Sequence, residues 1–231
     1  MKNMIIASSS TIHGSGYLEY LQSPLVKLFE GCKKILFIPY ARPSGLSHDA
    51  YTEIARKGLS FLNAEIIGIH ESNNPKKALY EAEAIFVGGG NTFVLVNELY
   101  KNNLMQLLKE QVEWGTPYLG TSAGSNICGV SMQTTNDMPI VQPPSFETMG
   151  LIPFNVNAHF LLADKNSTHK GETRETRIKE FHFYNETPVL GLQEGSWLKV
   201  NDQSIQLKGA WDAYWFEKEK EMKACPPEHN F

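Results

Sequence analysis

The chain has 231 residues, 42% of them hydrophobic and 20% charged, and a net charge of −4. That is apolar enough for a sizeable core and long enough for one large domain or two small ones. The slightly acidic balance, without a dense Lys/Arg cluster, argues against nucleic acid and membrane surfaces as partners, and no stretch approaches the ~20 apolar residues of a membrane span.

Residues 4–8 are an apolar run closed by serines and predict a first strand. Residues 17–29 carry apolar side chains at helical spacing. Lys33 and Lys34 lead into Ile35-Leu36-Phe37-Ile38, a buried strand stopped by Pro39. A helix is expected over 48–62, a third strand over 64–69, and a helix over 75–83 that starts on proline. Residues 84–87 predict a fourth strand, running into Gly88-Gly89-Gly90-Asn91. Two helices, 92–100 and 104–114, precede a fifth strand at 117–119. Apolar strands alternating with helices predict an α/β protein, a three-layer sandwich around a mostly parallel sheet covered on both faces.

Beyond Cys128 the rhythm changes. Residues 134–144 are polar and Pro-rich, a long loop. Residues 152–157 predict a strand leading to Ala158-His159-Phe160. Residues 162–171 are polar and charged and predict a mobile loop, followed by an amphipathic helix over 172–184. Short strands are expected at 189–193, 197–200, 204–207 and 213–216, with a turn at Asn201-Asp202. There is no repeat, linker or low-complexity tract, so one domain over 1–231 is expected. The three cysteines are far apart and form no CxxC pair, and the apolar run at the start is too short for a signal segment. These features predict a soluble, cytoplasmic protein.

Chemistry concentrates at the strand ends, where parallel α/β sheets bind ligands. Gly120-x-Ser122-x-Gly124 has the spacing of a nucleophile elbow: a strand, a sharp turn, and a serine presented at its tip. The elbow would aim the Ala123 N–H at the same point, beside the positive end of a following helix. Backbone N–H groups of the 88–90 loop, at Gly89 or Gly90, could complete an oxyanion hole. A serine nucleophile needs a base and the base an orienting group. Of seven histidines, His159 follows a predicted strand at the sheet edge where Ser122 should lie. Asp137 and Glu194 are both candidates for the orienting carboxylate. The competing reading of the elbow is a Gly-rich turn with a serine N-cap, and of each carboxylate a turn residue. Metal chemistry has little support, since there is no HExxH and no pair of histidines at ligand spacing. Cys128 is expected in a buried helix past the elbow, where a thiol is inert.

Taken in order, Gly88-Gly89-Gly90-Asn91-Thr92-Phe93, the Ser122 elbow, Thr134-Thr135-Asn136-Asp137-Met138-Pro139, Asn157-Ala158-His159-Phe160, His169-Lys170-Gly171-Glu172-Thr173-Arg174 and Glu194-Gly195 resemble the peptidase E family of cytoplasmic α-aspartyl dipeptidases. The likeness extends over most of the chain. It implies a class I glutamine amidotransferase-like fold with serine in place of the amidotransferase cysteine. It also implies hydrolysis of Asp-X dipeptides, with no cofactor and no metal. By the same resemblance Ser122 is the nucleophile, His159 the base and Asp137 the third member, with Glu194 as the alternative acid. The chain departs from the family pattern at Ala158, where a proline is usual, and at Thr121. Arg174 and Arg177 share one face of the predicted helix. Arg174 lies nearer the polar loop, and it is the expected substrate-binding residue, meeting the aspartate side chain with a bidentate fork. A monomer or weak homodimer is expected.

Three other readings remain open. An α/β-hydrolase-type esterase shares the elbow and the Ser–Asp–His order, but its histidine would lie near the C-terminus, at His229. A cyanophycinase-like hydrolase of aspartyl-linked polymers would need a more open groove. A non-enzymatic protein could hold an anionic ligand on the 88–90 loop.

Overall fold

The computed structural model describes residues 1–43, 45–163 and 171–231. The first half of the chain alternates β1 (Asn3–Ala7), α1 (Gln22–Leu28), β2 (Lys34–Ile38), α2 (His48–Gly58), β3 (Glu65–Gly68), α3 (Pro75–Tyr80) and β4 (Ile85–Val87). Two helices, α4 (Thr92–Lys101) and α5 (Met105–Trp114), lead to β5 (Tyr118–Thr121) and the single-turn α6 (Ala123–Asn126). Then follow β6 (Asn155–Ala158), α7 (Arg174–Tyr184), β7 (Val189–Leu192), β8 (Ser196–Asn201), β9 (Ser204–Gly209), β10 (Ala213–Phe216) and β11 (Lys223–Cys225).

Seven strands form the central sheet in the order β3-β2-β4-β5-β1-β8-β9. The first five are mutually parallel, while β8 and β9 add an antiparallel edge. Strand periodicity explains the layering. Met4 and Ile6 of β1 point into a core shared with α3, α4, α5 and the second sheet, whereas Ile5 and Ala7 point into a core shared with α1 and α2. Because both faces are covered, every residue of β4 and β5 is buried. Phe37 and Phe86 are fully buried and packed ring on ring, each contributing ~1.5–3 kcal/mol by leaving water. The antiparallel strand β8, between β1 and the edge strand β9, fully buries only alternate residues, as a strand with one more open face should.

The second sheet, ordered β11-β10-β7-β6, was not legible as a unit in the sequence. Its β6 and β7 are parallel neighbours, with Ala158 opposite Leu192. Several expected elements are shorter than their patterns. The helix of 17–29 begins as a 3-10 turn over Glu19–Leu21, after Leu18 adopts φ 59°. The strand expected from 152 starts only at Asn155. The strand β11 carried no recognisable signal. Most of the loop expected at 162–171 lies outside the described residues. Among the described residues, no helix is long and apolar enough to cross a membrane.

Candidate active site

The parallel strands converge at one edge of the sheet. Ser122 follows β5 directly, with φ 53° and ψ −110°. A non-glycine residue held there costs on the order of 1–3 kcal/mol, tolerated only where the surroundings over-determine it. The flanking glycines serve by giving room rather than by their own torsions. A Cβ on Gly120 would lie 2.5 Å from the Gly124 carbonyl oxygen, and one on Gly124 would collide with the Val87 carbonyl. The turn is pinned by Ser122 N–H donating to Ala7 O at 3.1 Å, and by Ser125 Oγ donating to Ala7 O at 2.6 Å. The helix that follows is a single turn, so the dipole expected behind Ser122 is small. Cys128 therefore lies in a turn and not in a helix. It is fully buried, and burial pushes its thiol well above the ordinary range.

The second sheet supplies the partners. The register of β6 on β7 leaves His159 and Glu194 just beyond the carboxyl ends of adjacent parallel strands. His159 Nε2 lies 2.9 Å from Ser122 Oγ, and Nδ1 lies 2.6 Å from Glu194 Oε1. An ionised carboxylate only accepts, so Nδ1 carries the hydrogen and Nε2 is left to accept from the serine hydroxyl. His159 is itself strained, at φ 55°. Its N–H donates to Ser8 Oγ at 2.9 Å, and that hydroxyl donates to Leu192 O at 2.7 Å. Ser8, just past β1, thus ties the base to both sheets.

The expectation that Asp137 holds His159 is corrected by these contacts. Asp137 Oδ2 accepts from Thr92 N–H at 2.7 Å, Thr92 Oγ1 at 2.6 Å and Thr135 Oγ1 at 2.8 Å. It anchors the first turn of α4, where a carboxylate is favourable. It reaches the base only at a remove: Asn126 Nδ2 donates to Thr92 Oγ1, and Asn126 Oδ1 accepts from Ala158 N–H.

A second correction concerns the oxyanion donors. The Gly89 N–H is already committed to Tyr51 Oη at 2.9 Å, inside the protein. Gly89 instead closes against the nucleophile; a Cβ there would lie 3.0 Å from Ser122 Cβ. The N–H groups of Gly90 and Ala123 have no partner among the described residues. Gly90 has φ 146°, and a side chain there would strike the Ala41 carbonyl, so only glycine fits. Tyr51 carried no functional signal in the sequence, because its partner is brought to it by the sheet.

Arg174 opens α7, behind the Thr173 N-cap. Arg177 pairs with Glu172 at 3.7 Å, the ordinary fate of a helix-surface arginine. Arg174 has no carboxylate within 4.0 Å among the described residues. Burial, then the like charge of Arg177, press its pKa down, and Asp137 acts in the opposite sense. His169 and Lys170 of the same string lie outside the described residues. Away from this edge, Asp49, His70 and Glu71 bring potential ligand atoms within 4.8 Å of one another. Glu71 is taken by Arg56 and by the Gly68 N–H, so it is not free to bind a cation.

A strained serine on an elbow, a histidine on its hydroxyl and a carboxylate on that histidine define a serine hydrolase built on an α/β sheet. Residues 4–208 match the model of Peptidase family S51. A Streptomyces coelicolor protein named Peptidase E is 47% identical over 216 residues, covering 94% of this chain and 88% of its own. A Drosophila melanogaster protein named "Probable alpha-aspartyl dipeptidase" is 44% identical, covering 98% and 94%. The crystal structure of a peptidase from an acI-B1 actinobacterium shares the fold, with a TM-score of 0.75 at 18% identity, covering all of this chain and 96% of its own. The chain belongs to Peptidase family S51.

Proposed function

We propose that this protein is a cytoplasmic serine dipeptidase that hydrolyses Asp-X dipeptides through an acyl-enzyme on Ser122. The observation that carries the reading is the continuous Ser122–His159–Glu194 hydrogen-bond chain beside the Gly90 and Ala123 N–H groups, which have no partner among the described residues. The kinship with relatives named peptidase E and alpha-aspartyl dipeptidase supports the substrate class. All the proposed groups come from one chain, so a monomer or a weak homodimer suffices.

The mechanism follows from the geometry. His159 Nε2 takes the Ser122 proton as Oγ attacks the scissile carbonyl carbon. Glu194 accepts from Nδ1–H, which fixes the tautomer and stabilises the imidazolium. The Gly90 and Ala123 N–H groups receive the oxyanion of the tetrahedral intermediate; one such donor is worth ~10²–10³ in kcat. The imidazolium then protonates the leaving nitrogen, and the C–N bond breaks. Water, deprotonated by His159, opens the aspartyl ester and regenerates Ser122.

Arg174 is proposed to bind the substrate aspartate side chain. Arg174→Met is expected to cut kcat/KM on Asp-X by ~2–5 kcal/mol, the range for breaking a desolvated charge pair. Cleavage of an uncharged ester through the same Ser122 should hardly change. Equal losses on both substrates would mean that Arg174 only holds the fold. The activity itself is tested by a panel of Asp-X, Glu-X, Asn-X and Ala-X dipeptides assayed for released amino acids. Asp-X alone should be turned over efficiently; comparable cleavage of Ala-X would remove the proposed specificity.

A further inference from the structure

Glu194 completes the hydrogen-bond chain from Ser122, yet its own carboxylate is held by little. Its side chain is half exposed, and among the described residues its one hydrogen-bond partner is His159. A glutamate left to water samples many rotamers. Its aim must therefore come from the backbone beneath it.

That backbone is a tight turn between the two sheets. The second sheet's β7 ends at Leu192, and the central sheet's β8 starts at Ser196. Ser196 N–H donates to Gln193 O at 3.0 Å, and Gly195 takes φ 85°. This is the pattern of a type II turn, with Glu194 at its first corner and the positive φ on a glycine at its second.

A second crossing runs beside the first. β9 of the central sheet ends at Gly209, and β10 of the second sheet starts at Ala213. The register sets Gly209 opposite Ser196 in one sheet and Ala213 opposite Leu192 in the other. Residues 193–195 and 210–212 thus pass between the sheets side by side. Among the described residues no backbone hydrogen bond joins the two crossings, and two side chains do so instead. Gln193 Nε2 donates to Asp212 O at 2.9 Å, and Ser196 Oγ donates to Trp211 O at 2.8 Å. Ser196 is fully buried. Gly209 lies flush on the turn, where a Cβ would strike Gly195 O. The same turn reaches the base. Ser196 O accepts from Ser8 N–H at 3.1 Å, and Ser8 Oγ accepts from His159 N–H.

We propose that Gln193 and Ser196 are positioning residues: they staple the Glu194 turn to the neighbouring crossing and so fix the carboxylate on His159 Nδ1. The assignment rests on the Ser122–His159–Glu194 reading and adds what keeps its most exposed member in place. Misplacing such a group by ~1 Å can cost ~10²-fold in rate, so two main-chain contacts behind Glu194 have leverage on the chemistry.

The experiment is a double-mutant cycle pairing Gln193→Met with Glu194→Ala, repeated with Ser196→Ala in place of Gln193→Met. Thermal melts check that each variant is folded. With Glu194 present, Gln193→Met and Ser196→Ala should each lower kcat on Asp-Leu about tenfold and leave KM within about twofold. The cycle itself is read on an uncharged activated ester, whose cleavage stays measurable in the weakest variant. There each substitution should again cost about tenfold with Glu194 present, but less than about twofold in the Glu194→Ala background. No carboxylate then remains to be positioned. A role in holding the fold, Ser122 or His159 would cost the same in both backgrounds. Equal losses in the two backgrounds, or no loss with Glu194 present, would overturn the staple and leave the triad standing. A Glu194→Ala variant with wild-type kcat would instead overturn the triad reading, and the staple with it. If Gln193→Met does not fold, the Ser196→Ala cycle decides alone.

Discussion

Ser122→Ala should lower kcat on Asp-X by about 10⁶, the loss seen when a triad serine is removed from a comparable enzyme. The reason is geometric. Ser122 Oγ is the atom on His159 Nε2, and it stands at the tip of a strained turn that exists to present it. Among the described residues, neither neighbouring group is placed to substitute: Ser125 is buried and bound to Ala7 and Gly120, and Cys128 is sealed in the core. Stability should change by less than ~0.5 kcal/mol, because the removed oxygen makes no packing contact that the fold depends on. A thermal melt and an active-site-directed phosphonate separate the two effects. The variant should melt with the wild type and take up no label. More than a tenth of the activity in a clean preparation, far above the ~10⁶ loss expected, would remove Ser122 from the mechanism.

The central sheet was legible because its strands are short apolar runs punctuated by Gly and Pro, and such runs, buried on both faces, admit few alternatives. The elbow was legible from its glycine spacing: Gly120 and Gly124 are each held against a carbonyl that a Cβ would strike. His159 could be picked out because it ends a strand. What could not be read are features that depend on two distant segments meeting. The choice between Asp137 and Glu194 is set by the register of β6 on β7, which no local pattern encodes. Asp137 stands closer to Ser122 in sequence, yet its carboxylate is turned to Thr92 and Thr135. The commitment of the Gly89 N–H to Tyr51 is of the same kind. The one-turn α6 is a local miss. Gly124, Ser125 and Asn126 are weak helix formers, and a longer helix should not have been expected of them.

Glu194→Gln should reduce kcat on Asp-X by about 10²–10⁴, and Asp137→Asn by less than about tenfold. The upper figure is that of the amide replacement in the trypsin triad, where the wrong histidine tautomer is favoured. The same chemistry applies here. A glutamine amide can turn its NH₂ toward His159 Nδ1; the ring hydrogen then moves to Nε2, which can no longer accept from Ser122. The lower figure allows for solvent, since the Glu194 side chain is 50% exposed and that of His159 38%. Screening by water weakens the pair's Coulomb term but leaves the tautomer effect in place. Asn at 137 keeps an oxygen that can accept from the Thr92 N–H but loses the charge on the α4 terminus, a cost of ~0.5–2 kcal/mol in stability. Its signature is therefore a lower melting temperature with kcat largely retained. The Glu194 variant should show the reverse, a native melt with little turnover. Paired melts and steady-state kinetics distinguish these patterns. Should Asp137→Asn prove the deader enzyme at native stability, the Asn126 bridge from Thr92 to Ala158 would have to carry the orienting role, and the 2.6 Å contact of Glu194 with His159 would be incidental to catalysis.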